Sequence, residues 1–156
     1  MPEIYKKNAL AFVAIVRTSK MYLEQHHAGY WKDKLYFICN YQNKNICYIL
    51  INGYEEGSWV IGSDDSDSNW FEDFPLNEHI KEILWKNVNI CDNPSACGAC
   101  SLGHGTRKTI FGKEFHSVCL SAFKFTNPDA ETVECIKQLF EIRKNDINTS
   151  EELYVH

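Results

Sequence analysis

Residues 91 to 104 read CDNPSACGACSLGH: three thiols and an imidazole in a stretch whose Asn, Pro, Ser and Gly content rules out a core strand or helix. Cys91, Cys97 and Cys100 follow the spacing C-x5-C-x2-C. Three residues separate Cys100 from His104, and eighteen separate it from Cys119. A C-x2-C pair can turn two thiolates onto one ion, and Gly98 and Ala99 give that turn freedom and little bulk. Zinc takes four tetrahedral nitrogen or sulfur donors. Cys91, Cys97 and Cys100 supply three. Cys119 is the expected fourth, with His104 the alternative and His116 a more distant choice. Bound metal would hold an otherwise loose segment against the body of the fold.

Other chemistries use the same residues. The bland reading is ordinary reduced cysteines, with Cys91 at a helix–loop junction and Cys119 in the core. An iron–sulfur cluster is a weaker fit, because the plant-type 2Fe–2S loop spaces its first ligands C-x4-C-x2-C. This chain has one residue too many between Cys91 and Cys97. Dithiol exchange wants the C-x2-C at a helix start, where the dipole lowers a thiol pKa. Here SLGHGT follows, and its two glycines oppose a helix, although a peroxide-sensing thiol stays open. An enzyme using an open metal position or a reactive thiol, such as Cys119 beside His116 or His104, is the alternative function. No G-x-S-x-G, P-loop, dinucleotide-binding glycine pattern or H-E-x-x-H occurs.

A second group of residues is acidic and aromatic. From Asn45 to Ile80 there is no Lys or Arg, yet the stretch carries eight acids. Asp65, Asp67 and Asn69 mimic the first positions of a calcium loop, but Trp70 replaces the required Gly and Leu76 the final Glu, so an EF-hand is rejected. Asp64, Asp65, Asp67, Trp70 and Phe71 instead make the 63–74 loop the expected contact for a small molecule or a protein partner. A solvated acidic loop is the simpler reading. HGTRKTIFGKEFH is locally basic and could meet an anionic ligand or the acidic face of a second copy, forming a homodimer. Its plainer reading is a hairpin turning at Gly112.

The 156 residues fit one domain, 1–156, with 44 % apolar and 24 % charged residues. A net charge of −5 argues against a nucleic-acid partner. The longest apolar run, residues 9–16, is far short of the roughly 18 residues a membrane helix needs. No signal peptide is recognisable and the seven cysteines are odd in number, so a cytoplasmic, reduced chain is expected.

The elements that must position these groups form an α+β pattern, a mainly antiparallel sheet with helices packed on one face. The apolar, alanine-bearing stretch 3–26 predicts a helix ended by His26 and His27. KLYFICNY and NICYILING predict a hairpin turning at 42–44, and SWVIG a third strand. Asn77 caps a predicted helix over 78–87. One or two strands are expected in 107–125. NPDAETVECIKQLFEIRK then predicts a helix capped by Asn127 with Pro128 first, ending near Arg143 and Lys144, and residues 145–156 as a frayed tail.

The closing pattern TIFGKEFHSVC…FTNPDAETVECIKQLFEIRK, with the strand hairpin before it, resembles small YjbR-type α+β proteins of anaerobic Gram-positive bacteria. The resemblance covers the element order and about a third of the chain. It implies an α+β fold and a binding role and transfers no functional residue.

Overall fold

The structure, a computed structural model, describes residues 1–27, 34–53, 55–64, 74–91 and 105–154. The described elements are α1 (Glu3–Thr18), β1 (Tyr22–His26), β2 (Leu35–Tyr41), β3 (Lys44–Ile51), β4 (Trp59–Ser63), α2 (Glu78–Lys86), β5 (Val88–Ile90), β6 (Thr106–Ile110), β7 (Lys113–Thr126) and α3 (Ala130–Tyr154). The seven strands make one antiparallel sheet in the order β1-β2-β3-β4-β7-β5, with β6 also paired to β7. This is the expected single α+β domain. Helix α3 packs against α1, α2 and β3, so the helices share one layer.

Side chains alternate across the sheet, and the helix-facing set forms the core: Cys47, Ile49, Trp59 and Ile61 meet Phe12 of α1 and Ile136 and Phe140 of α3. Phe12 sits 6.2 Å, ring to ring, from Trp59 and 6.0 Å from Phe140. Burying each such aromatic contributes about 1.5–3 kcal/mol. The other face carries Tyr36, Tyr48, Leu50 and Val60, of which Leu50 and Val60 are fully buried.

The hairpin expectations hold in detail. Gln42 and Asn43 turn β2 into β3 with φ of 48° and 61°, the two-residue geometry that matches strand twist. Phe111 and Gly112 do the same between β6 and β7, at 48° and 87°. Asn77 caps α2 as expected, its Oδ1 accepting from the Ile80 N–H at 2.9 Å.

Three expectations are corrected. Helix α1 stops at Thr18, and residues 22–26 form the edge strand β1, so His26 lies in a strand, T-stacked on Tyr36, and caps no helix. The stop is a Schellman turn: Lys20 adopts φ 59°, and the Met21 N–H donates to the Val16 carbonyl at 3.1 Å. Helix α3 begins later than expected, capped by Asp129, whose carboxylate accepts from the Thr132 N–H at 2.8 Å. Hydrogen bonds from Thr132, backbone and then side chain, hold that carboxyl below its ordinary pKa. Asn127 is spent on β4: its Oδ1 accepts from the Trp59 N–H at 2.9 Å, and its own N–H donates to the Trp59 carbonyl at 2.8 Å. Finally, residues 145–154 are helical rather than frayed. Ile147 extends the buried line of Ile136 and Phe140, and Tyr41 donates to Asn148 Oδ1 at 3.0 Å. Arg143 and Lys144 therefore lie within the helix, paired with Asp146 and Glu141 at 2.9 and 3.1 Å.

Candidate metal centre

Strand β7 organises the cysteine region. Val118 is paired with Ile90 of β5 and with Thr106 of β6, which places those strands on opposite edges of β7 at that point. The register shifts on both sides, between Val88 and Ile90 and between Thr106 and Lys108, so β7 is bulged around residues 117–122. Ser117 carries the strain of that bulge, with φ 56°.

Both ends of segment 92–104 come down on Ser117. On one side the Cys91 N–H donates to the Ser117 carbonyl at 2.7 Å. On the other, Gly105 lies so close that a Cβ added there would overlap the Ser117 carbonyl, with the Ser117 Cα only 2.7 Å away. Cys119 stands two residues further along β7. Cys91 and Cys119, both half-buried, thus flank one bulge although 27 residues separate them in sequence. Both residues stand within two positions of Ser117 along the pairing of β5 with β7. Cys97, Cys100 and His104 lie outside the described residues, although His104 directly precedes Gly105 in the chain. Among the described residues, no group of three or more His, Cys, Asp or Glu side chains could hold a metal ion. His116 is exposed and lies 3.8 Å from Glu114 Oε1.

Helix α2 braces this end of the sheet. Trp85 Nε1 donates to the Ile110 carbonyl at 2.8 Å, and Lys113 lies 5.5 Å above the Trp85 ring and 5.4 Å from that of Phe115. The basic stretch is the expected hairpin with charged outer positions, Arg107 meeting Glu114 at 3.8 Å.

Of the acidic-loop residues, Asp64 is described. Its N–H donates to the Ile46 carbonyl at 2.9 Å, continuing the β3–β4 pairing by one residue. Burial, and then the Asp64 carboxylate, push the Tyr36 hydroxyl above its ordinary pKa. Tyr36 packs edge-on against Tyr48 at 6.4 Å, and Gly62 leaves room for the Tyr48 ring. Asp65, Asp67, Trp70 and Phe71 lie outside the described residues.

Sequence reasoning missed a second thiol pair. Cys39 and Cys47 face each other across the β2–β3 hairpin, and the signal was their near-symmetric spacing about the 42–43 turn.

Fold and site together define a single-domain α+β protein in which Cys91, directly after β5, and Cys119, in β7, stand where those strands pair at a bulge in β7. The chain matches no family model, no curated protein and no solved structure. No helix among the described residues is long and apolar enough to cross a membrane.

Proposed function

We propose that the chain is a small binding or regulatory domain whose 91–119 region is stapled by one structural zinc ion. The donors are Cys91, Cys97, Cys100 and Cys119, with His104 as the alternative fourth. What supports this is the convergence of both ends of segment 92–104 on Ser117, beside Cys119. With four protein donors the ion has no open position, so it serves folding and not catalysis. Purified protein should carry one equivalent of zinc, and Cys91, Cys97 and Cys100 should be alkylated only after a chelator is added. Zinc-free protein whose three thiols react at once would overturn the proposal.

A second reading is supported by Asp64 beside the Tyr36–Tyr48 pair: residues 63–74 form the partner contact. The locally basic hairpin, with Arg107, Lys108 and Lys113, makes a second copy of the chain one such partner. Replacing Asp64, Asp65 and Asp67 together by Asn should weaken self-association, measured by sedimentation at low salt, and leave the melting temperature nearly unchanged. Association equal to that of the unaltered chain would count against this surface.

A further inference from the structure

The β2–β3 hairpin would be in simple register from its turn outward, Tyr41 with Lys44 and Asn40 with Asn45, were it not for one irregularity. The register shifts between Cys39 and Asn40, which skips Ile46 and sets Cys39 directly opposite Cys47. Both side chains face the helix layer and are 0 % and 1 % exposed. Directly opposed residues in antiparallel strands have Cα atoms roughly 4.5–5.5 Å apart. A disulfide accepts roughly 4.4–6.8 Å. The Met21 sulfur lies 3.9 Å from the Cys39 sulfur.

We propose that Cys39 and Cys47 form a cross-strand dithiol that a hydroperoxide oxidises to a disulfide and that a small dithiol reduces again. The Cys39 thiol gives up its proton and its sulfur attacks the terminal peroxide oxygen; the O–O bond breaks, the leaving oxygen takes up that proton and departs as water (or as the alcohol, from an organic hydroperoxide), and Cys39 becomes a sulfenic acid. The Cys47 thiol then attacks that sulfur, the S–O bond breaks, water leaves with the Cys47 proton, and the S–S bond forms. The two thiols give up two electrons and two protons, and the peroxide takes up both. A dithiol reductant reverses the result by thiol–disulfide exchange.

Access sets the rate. Burial and the neighbouring Cys39 raise the Cys47 thiol well above its ordinary pKa, so the closed fold holds little Cys47 thiolate. Cys39 is paired on its outer side with Leu23 of β1, a five-residue strand at the edge of the sheet. Opening of that edge admits the oxidant. The pair therefore reports loosening of the β1 edge and, once bridged, locks the hairpin.

The test uses the full chain, reduced and then exposed to hydrogen peroxide, with the remaining thiols alkylated and the peptides mapped by mass spectrometry. The expected product links Cys39 to Cys47, is lighter by two hydrogens, and is lost on treatment with dithiothreitol. Urea below the unfolding transition should speed its formation. In the bridged protein, amide exchange in β2 and β3 should slow by roughly tenfold or more. Cys39→Ala and Cys47→Ala chains should show no new bridge at the remaining thiol. The mapping of the unaltered chain stands even if these variants fold poorly. Peroxide that oxidises other cysteines while Cys39 and Cys47 both stay reduced would overturn the proposal, as would a bridge joining either of them to a different cysteine.

Discussion

A Gly105→Ala chain should lose about 3 kcal/mol of stability, at the upper end of the usual cost of overpacking. The reason is where the added methyl would go. It would fall on the Ser117 carbonyl and within 2.7 Å of the Ser117 Cα, and these are backbone atoms that no rotamer change can move. Ser117 is already in the left-handed region at φ 56°, and its carbonyl already accepts from Cys91. Relief comes only by lifting the start of β6 off β7, which breaks the Thr106–Val118 pairing. Segment 92–104 then loses one of its two anchors. Urea denaturation should therefore show the drop, and chelators should withdraw zinc faster from the variant. Gly112→Ala is the informative contrast. Nothing lies within 4 Å of its added Cβ, so its cost comes from φ 87° alone, about 1–2 kcal/mol. A Gly105→Ala protein as stable as the unaltered chain would show that the two ends of the segment do not meet at Ser117.

The second large effect belongs to the core. Phe12→Ala should cost about 3–5 kcal/mol, the range for removing a fully buried aromatic ring. Phe12 is 0 % exposed and touches Trp59 of β4 and Phe140 of α3, so one side chain joins the first helix, the sheet and the last helix. Against a total stability of about 5–15 kcal/mol for an ordinary domain, that loss is a large fraction of the whole. Urea or thermal denaturation checks it. A shift of the midpoint close to zero would mean that α1 is not docked on the sheet as described.

These sites differ in how far the sequence revealed them. Hairpins were legible because their turns use residues that favour positive φ or lie in polar breaks, as at Gln42, Asn43 and Gly112. Asn77 announced α2 because a side chain that caps a helix leaves a compositional mark. The end of α1 was hidden because its left-handed residue is Lys20, where a glycine would have given the stop away. At α3 two residues competed for the cap, and a long-range pairing with Trp59 claimed Asn127, leaving the role to Asp129. Strand β5 has three residues, too few for any periodicity to show. The helical course of 145–154 depends on one buried isoleucine and on Tyr41 reaching Asn148, neither of which local composition reports.

The candidate site divides in the same way. Thiol spacing named Cys91 and Cys119, but their placement around one bulged strand rests on strand pairings, which spacing cannot express. Likewise Cys39 and Cys47 become partners only because the hairpin skips Ile46.

X-ray absorption at the zinc edge tests the central claim most directly, because it counts the ligands as well as the metal. The account predicts one zinc per chain with sulfur neighbours at about 2.3 Å, four if Cys119 completes the set and three with one nitrogen if His104 does. A chain that retains no zinc after purification in its presence, or whose zinc shows only oxygen and nitrogen neighbours, would contradict it.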